Sequence, residues 1–323
     1  MAKLTYMPER RIPKLVSLAD VVPQEINWLW YPYIPKGTVT AFYGRGGMGK
    51  SFITCDLASR LSNGMPLPDQ ETPMIPQKVL MLSAEDDYSK VLVPRLMASG
   101  ANLHNIAVPD FQFTLDDWGG GQVKELMREF AATVVFIDPI VYYAGGKMDM
   151  NKSNEVRAMM ERLKTAAEQA ESSVIIVGHI KKSQEGEDGD QMMGSADWIN
   201  AARSALFVTT TNDGTRVLKH SKSNYGPRGP ARSYTISDNG VFEWGEVYDH
   251  LDIASKSPNA ADLAVAFLKT LLGDGPVPAV HVMERAKENN ISTSTLNRAK
   301  PGIAESYFNR SAGCFYWRLV NEG

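Results

Sequence analysis

The stretch GRGGMGKS, residues 44–51, decides the fold of this 323-residue chain, because it fits the pattern G-x-x-x-x-G-K-[ST] in full. The apolar run at 39–43 before it has the composition of a buried strand, and an amphipathic stretch at about 50–62 follows it. In such a strand–turn–helix, glycines let backbone N–H groups turn toward phosphate oxygens, and the helix amino terminus adds favourable dipole charge. The sequence therefore predicts a phosphate-binding loop.

Two side chains of this loop have predicted roles in binding a nucleoside triphosphate. Lys50 would reach the β- and γ-phosphates, and the Ser51 hydroxyl would ligate Mg²⁺. We therefore expect ATP and Mg²⁺ as the bound groups. The residues predicted to contact the nucleotide are Gly44, Arg45, Gly46, Gly47, Met48, Gly49, Lys50, Ser51 and Phe52.

Two carboxylates follow later strands. Asp138 ends the run VVFID and is placed to hold the Mg²⁺ shell through water, as a Walker B aspartate does. Glu85 follows the run VLMLS and is placed to polarise the water that attacks the γ-phosphate. Asp86 is the alternative base, although Asp86 and Asp87 can instead cap a helix that begins at Tyr88.

A histidine ends the next apolar run, VIIVGH. The strand that carries His179 is predicted to lie beside the Walker B strand. A polar strand tip at that position could sense the γ-phosphate. The alternative is a strand-end histidine that only hydrogen-bonds the backbone.

Composition limits the class of protein. The formal net charge is −3, from 34 Lys and Arg against 37 Asp and Glu, so any contact with nucleic acid must be local. Only Cys55 and Cys314 are present, which excludes a disulfide framework. The chain has neither a run of about 18 apolar residues nor a signal-peptide core. We expect a soluble, reduced, cytoplasmic protein.

The pattern of apolar runs predicts an α/β fold. Strand-like runs at 39–43, 79–83, 134–138 and 174–179 alternate with helix-like stretches at about 50–62, 88–99, 122–131 and 153–171. This alternation indicates a mainly parallel sheet covered by helices. Two later hairpins, at 205–220 and 233–244, turn at Asn-Asp-Gly and Asp-Asn-Gly, so antiparallel strands are expected to extend the sheet.

The predicted organisation is a lead-in at 1–36, an ATPase domain at 37–245, a linker at 246–260 and a small unit at 261–323. Three helices followed by a hairpin in the last unit have the order of a winged helix-turn-helix. Its helix at 292–300 is the candidate for a DNA groove. A unit that docks protein or organises a ring is the rival interpretation.

Taken together, these motifs resemble the RecA-like P-loop ATPases of the AAA type. The chain is most similar to the hexameric replicative helicases of the RepA plasmid type, with the DnaB helicase core more distant. The resemblance covers roughly residues 25–245 and includes Trp28, Trp30 and the segments MGSADWINAARSALFV (193–208) and KSNYGP (222–227). It implies assembly into a ring, expected to be a hexamer, with each active site between two subunits.

The resemblance also implies cations that act on the neighbouring subunit. Arg203 and Lys222 match residues that reach the γ-phosphate from the next subunit. The alternatives are a salt bridge on a surface helix for Arg203 and a solvated hairpin end for Lys222. The DnaB-like pattern has a second basic residue two positions after the lysine, where this chain has Asn224, so a two-cation arrangement is in doubt.

Single-stranded DNA is the partner that such a ring implies. Two segments could contact it, at 142–147 and 180–192, and the second contains Lys181 and Lys182 beside four acidic residues. A loop that does not touch DNA is the alternative for that segment.

The sequence thus favours an ATP-dependent DNA helicase or translocase of plasmid, phage or mobile-element replication, with a replication initiator or a primase as further candidate partners. The main alternative is a DNA-binding regulatory or helicase-loader ATPase that does not unwind DNA. A filament-forming recombination ATPase is less favoured.

Overall fold

A computed structural model of the chain describes residues 15–115, 119–146, 148–180, 195–211, 213–237, 239–249, 260–273, 275–288, 291–310 and 312–320. The strands and helices, in chain order, are β1 (Trp28–Trp30), β2 (Ile34–Pro35), β3 (Val39–Gly44), α1 (Lys50–Asn63), β4 (Val79–Ser83), α2 (Val93–Ala98), β5 (Ile106–Ala107), α3 (Gly119–Phe130), β6 (Val134–Asp138), α4 (Ile140–Tyr143), α5 (Ser153–Gln169), β7 (Ser173–His179), α6 (Asp197–Ala201), β8 (Ser204–Thr210), β9 (Arg216–Ser223), β10 (Ala231–Ile236), β11 (Phe242–Tyr248), α7 (Ala260–Leu272), β12 (Val277–Pro278), α8 (Ala279–Glu288), α9 (Thr293–Ala299), β13 (Ala304–Asn309) and β14 (Cys314–Leu319).

The central feature is a sheet with the strand order β11-β10-β9-β8-β3-β7-β6-β4-β5 among the described residues. The six strands from β8 to β5 are parallel, and β9, β10 and β11 extend the sheet in antiparallel fashion. This confirms the predicted α/β class, with its mainly parallel sheet and antiparallel extension. Strand β7 separates β3 from β6, which gives a RecA-like core.

Helices cover both faces of the sheet. Helices α1 and α2 pack on one face through apolar side chains such as Ile53 and Leu96, and α3 and α5 pack on the other through Val123 and Leu163. The strands between these layers are buried on both sides. This explains why their sequences are almost continuously apolar rather than alternating.

Several elements differ from the prediction. The segment from Tyr88 to Leu92 is a short π-helical turn that leads into α2. Strand β11 continues to Tyr248, and so covers the first three residues of the segment predicted as a linker, 246–260. Strands β1, β2, β5 and β12 and helices α4 and α6 are short, and the sequence pattern did not predict them.

The aromatic residues of the lead-in pack in part against the core. Trp30 is buried, its indole Nε1 donates to the Pro68 carbonyl at 2.9 Å, and its ring contacts Tyr33. Tyr31 remains exposed and meets Trp28 edge to face. Strands β1 and β2 thus fix the beginning of the domain on the sheet.

The C-terminal unit has its own apolar core, which contains Leu268, Val282, Leu296 and Trp317. Three helices, α7, α8 and α9, precede the hairpin of β13 and β14, and β12 adds a third strand in the order β12-β14-β13. Ser292 caps α9, since its Oγ accepts from the Thr295 N–H at 3.2 Å.

Among the residues with described positions, none of the helices combines the length and the apolar character needed to cross a membrane.

Candidate functional site

The phosphate-binding loop curls between β3 and α1 on glycines that other residues could not replace. Gly47 and Gly49 have φ angles of 74° and 88°, in the left-handed region that favours glycine. Gly44 packs closely against β8, where an added Cβ would come within 2.6 Å of the Val208 carbonyl oxygen. The loop conformation therefore follows from the spacing of its glycines.

Lys50 is buried at the centre of the loop. Its Nζ donates to the carbonyls of Gly44 at 3.1 Å and Arg45 at 2.9 Å, and it lies 3.2 Å from Nδ1 of His179. Burial lowers the pKa of Lys50 to about 8, against the opposing effects of Asp138 and Glu85. A dianionic or more highly charged ligand would favour the protonated form.

Ser51 and Asp138 converge at the same edge of the sheet. The Ser51 hydroxyl donates to Oδ2 of Asp138 at 3.3 Å, so one hydroxyl and one carboxylate share a small volume beside Lys50. Burial raises the pKa of Asp138 to about 6, although Lys50 and Ser51 act in the opposite direction. Ionisation of this buried carboxyl group is unfavourable without a nearby positive charge, and a bound divalent cation would supply that charge.

The three acidic residues after β4 take three different positions. Glu85 is exposed and lines the cavity in front of the loop. Asp86 pairs with Arg95 at 2.7 Å, and Asp87 caps the turn at Tyr88 by accepting from the Lys90 N–H at 2.9 Å. These contacts occupy Asp86 and Asp87 and leave Glu85 facing the cavity.

His179 ends β7 between the loop strand and the Walker B strand, because β7 pairs with both β3 and β6. Burial lowers its pKa, and Lys50 lowers it further. Its Nδ1 can therefore accept from the Lys50 ammonium. His179 thus lies at the strand end where the sequence predicted it, beside the phosphate-binding loop.

The hairpin of β10 and β11 packs on the phosphate-binding loop, which the sequence did not indicate. The Tyr234 hydroxyl donates to the Met48 carbonyl at 2.5 Å, and Trp244 Nε1 donates to Asp56 of α1 at 2.7 Å. A Cβ on Gly49 would meet Ile236 Cδ1 at 2.3 Å. The hairpin thus forms one wall of the site.

An open cavity of about 450 Å³ joins these groups. Its lining residues are Gly47, Gly49, Lys50, Ser51, Phe52, Glu85, Arg95, Asp138, His179, Arg216, Ile236 and Ser237. The phosphate-binding loop, the candidate base, the Walker B aspartate and the histidine therefore face one space.

Comparison with known proteins agrees with this geometry. Residues 7–185 match the family described as AAA domain, AAA_25, which is more than half of the chain. The chain belongs to this AAA domain family. Membership supports the binding and hydrolysis of ATP at the cavity described above.

No curated protein matches the sequence. Among solved structures, a KaiC-like protein from the hyperthermophilic archaeon Pyrococcus horikoshii aligns with a TM-score of 0.48 and 13% identity, over 66% of this chain and 91% of that one.

Arg203 and Lys222 lie away from the cavity of their own chain. Arg203 precedes β8, and its N–H donates to the Val39 carbonyl at the start of β3, whereas the phosphate-binding loop follows the end of β3. Lys222 pairs with Ala205 near that same starting edge. Both cations are therefore at the opposite edge of the sheet.

Each residue has surroundings that differ in part from its alternative interpretation. Arg203 forms no ion pair among the described residues, and its buried Nε has no hydrogen-bond partner there. Lys222 is partly exposed, and its Nζ donates to the carbonyls of Ile199, Asn200 and Ala202 at 3.1, 2.6 and 2.8 Å. It caps the carboxyl end of α6, a contact that sequence spacing alone did not suggest.

The candidate DNA segments are only partly described. In the predicted segment 142–147, Tyr143 cannot face a channel, because its side chain is buried in the core under β6 and β7. Tyr142 is exposed. Lys147, Lys181 and Lys182 lie outside the described residues.

In the C-terminal unit, α9 exposes Ser294, Asn297 and Arg298. Lys300, the last residue of the predicted DNA-groove helix at 292–300, contacts its own unit: its Nζ donates to Ser306 at 2.9 Å and lies over the Trp317 ring. The polar face of α9 is thus shorter than the sequence suggested.

Proposed function

We propose that this protein is an ATP-dependent DNA helicase or translocase of plasmid, phage or mobile-element replication that works as a ring. The observation that carries the proposal is the position of Arg203 and Lys222. Both lie at the sheet edge opposite the phosphate-binding loop. They could reach a triphosphate only in a neighbouring copy, which supports active sites between subunits. Lys222 would first have to leave the Ile199, Asn200 and Ala202 carbonyls.

The cavity residues suit hydrolysis of the terminal phosphoanhydride bond. Glu85 would accept a proton from the water as that water attacks the γ-phosphorus and the bond to the β-phosphate oxygen breaks. Lys50 would hold the β- and γ-phosphate oxygens. Mg²⁺ held by Ser51 and Asp138 would neutralise part of the phosphate charge.

DNA contact is assigned to the channel of the ring and to the C-terminal unit. The order of helices and strands in that unit supports a winged helix-turn-helix, with the exposed residues Ser294, Asn297 and Arg298 of α9 toward a partner. Single-stranded DNA in the channel is the substrate that moves, and a replication initiator or a primase is the candidate protein partner.

Strand displacement tests this proposal. Wild-type protein with ATP and Mg²⁺ is expected to separate a forked DNA duplex with a single-stranded arm, and Glu85→Gln is expected to bind ATP and the fork without separating the strands. Native mass measurements with an ATP analogue and single-stranded DNA should give a ring, expected to be a hexamer. A monomer under every condition would refute the ring.

The same assay distinguishes the alternative of a DNA-binding regulatory or helicase-loader ATPase. That protein would hydrolyse ATP and bind DNA but would leave the fork intact at every protein concentration. Lys50→Ala is the control for both functions, because it is expected to abolish ATP turnover. Retained turnover in Lys50→Ala would remove the assignment of the phosphate-binding loop.

A further inference from the structure

The cavity has two sides that differ in chemistry. Asp138 and His179 lie on the side of β6 and β7, where the terminal phosphate and its cation are assigned. On the other side of β3, strand β9 contributes Arg216 to the wall, strand β10 contributes Ile236, and Ser237 follows β10. A nucleotide with its phosphates in the loop would direct its nucleoside toward this second side.

The Arg216 guanidinium faces this second side. Arg216 begins β9, pairs through its backbone with Thr210 of β8 and is half-buried in the cavity wall. Where the chain is described, its side chain forms neither a hydrogen bond nor an ion pair. Arg95, the other arginine of the cavity, differs, since it pairs with Asp86 and covers the Phe52 ring at 5.0 Å. Arg216 thus presents an unused guanidinium to the cavity.

Ile236 supplies an apolar surface to the same cavity. Its Cδ1 lies against Gly49, which brings it next to the first turn of α1. The hydrogen bond from the Tyr234 hydroxyl to the Met48 carbonyl holds β10 against the phosphate-binding loop. A planar cation and an aliphatic side chain on one wall are the groups that suit the face of a nucleobase.

We propose that Arg216 and Ile236 form the nucleobase site of this chain, acting on the nucleotide in their own subunit. Arg216 stacks its guanidinium on the base and Ile236 packs against it, while the loop binds the phosphates. The inference rests on the proposed binding of ATP. It also gives β9 a cation at each end, with Arg216 at the chain's own nucleotide and Lys222 at the opposite edge.

Binding of two ligands that share phosphates but not a base tests the proposal. Calorimetry with Mg²⁺ would compare ATP with inorganic tripolyphosphate on wild type and Arg216→Ala. In Arg216→Ala, the dissociation constant for ATP is expected to rise at least tenfold, which is typical of the loss of a base-stacking contact. The dissociation constant for tripolyphosphate is expected to change less than about twofold. An equal loss for both ligands would show that Arg216 binds phosphate and would overturn the base site.

Three further variants sharpen the result. Arg216→Lys keeps the charge without the planar group, so ATP binding is expected to stay weak; full rescue would overturn stacking. Ile236→Val, a smaller change, is expected to raise the dissociation constant for ATP about two- to fivefold and to leave that for tripolyphosphate unchanged. Arg228→Ala is the matched control, because Arg228 lies in the exposed loop after β9 and contacts the Ser221 carbonyl.

The outcomes separate this inference from the proposed function. Wild-type protein that binds neither ligand would remove the ATP site itself, and the inference with it. Wild-type protein that binds ATP, together with an Arg216→Ala variant of unchanged melting temperature and unchanged ATP affinity, would refute the base site alone.

Discussion

The Lys50 ammonium lies 3.2 Å from Nδ1 of His179. The lysine that would bind phosphate thus contacts the end of β7, the strand between β3 and the Walker B strand β6. Burial lowers the pKa of both groups, which favours the neutral imidazole, whose Nδ1 can accept from the ammonium. When Lys50 turns to a phosphate, His179 loses this partner. We propose that the pair reports the presence of nucleotide.

We expect His179→Ala to damage turnover more than binding. Lys50 keeps the Gly44 and Arg45 carbonyls as acceptors, so the loop should still form. The kcat for ATP should fall at least about tenfold and KM should change less than about threefold, as for a group that acts after binding. Steady-state ATPase assays measure both constants. An unchanged kcat would assign His179 a purely structural contact.

Nucleotide binding should exchange protons in opposite directions at two pH values. At pH 8, about half of the free protein's Lys50 is deprotonated, and a bound triphosphate favours the ammonium, so about half a proton should be taken up. Near pH 6, Asp138 is about half protonated, and a bound cation favours the carboxylate, so protons should be released. Calorimetry in buffers of different ionisation enthalpy measures both signs.

Controls assign the two signals. Asp138→Asn should abolish the release near pH 6 and keep the uptake at pH 8, provided that nucleotide still binds. Uptake of the same size at both pH values would contradict the assignment to Lys50 and Asp138.

The sequence was most informative where a local pattern reflects a local cause. The glycine spacing of the loop, the apolar strands and the Asp138 and His179 strand ends all follow from short-range geometry. The strand of His179 also lies beside the Walker B strand, as predicted.

Long-range packing explains what the sequence did not indicate. The hairpin wall at Ile236, the carbonyl contacts of Lys222 and the burial of Tyr143 depend on residues far apart in the chain. A tyrosine after a strand has the same local pattern whether it packs inward or faces a channel. Only the folded chain distinguishes these cases.

Arg203→Ala should leave ATP binding nearly intact and remove hydrolysis, because Arg203 lies far from its own chain's loop. Mixing it in equal amounts with Glu85→Ala should restore activity. If subunits mix at random, about one quarter of the interfaces then join an intact Glu85 to an intact Arg203. Recovery toward that fraction of wild-type turnover supports action between subunits. No recovery at any mixing ratio would contradict it.

Lys222→Ala should destabilise the fold as well as affect catalysis. Three carbonyls at the carboxyl end of α6 would lose a charged donor, a loss worth about 1–3 kcal/mol. Chemical denaturation with and without nucleotide measures the change. Arg228→Ala is the control in the same region and should be nearly neutral. An unchanged free energy of unfolding in Lys222→Ala would show that α6 does not depend on this cap.

His220 should make the stability of the domain sensitive to acid. Its Nδ1 accepts from the Gly229 N–H at 2.9 Å, so the proton of the neutral ring lies on Nε2, 2.9 Å from the Ser204 hydroxyl. Burial lowers the pKa of His220 from 6.5 to about 4, with a smaller effect of Arg228. Protonation of Nδ1 would break the bond to Gly229.

The sign of the pH effect follows from that lowered pKa. The unfolded chain binds a proton below about pH 6.5, whereas the folded chain resists it down to about pH 4. The free energy of unfolding should therefore be highest above pH 6.5 and fall by about 1.4 kcal/mol per pH unit between these values, from this group alone. In His220→Asn, whose side-chain oxygen can replace the Nδ1 acceptor, this part of the slope should disappear. Urea unfolding of both proteins from pH 7 to pH 4.5 measures the difference, and parallel slopes would refute the role of His220.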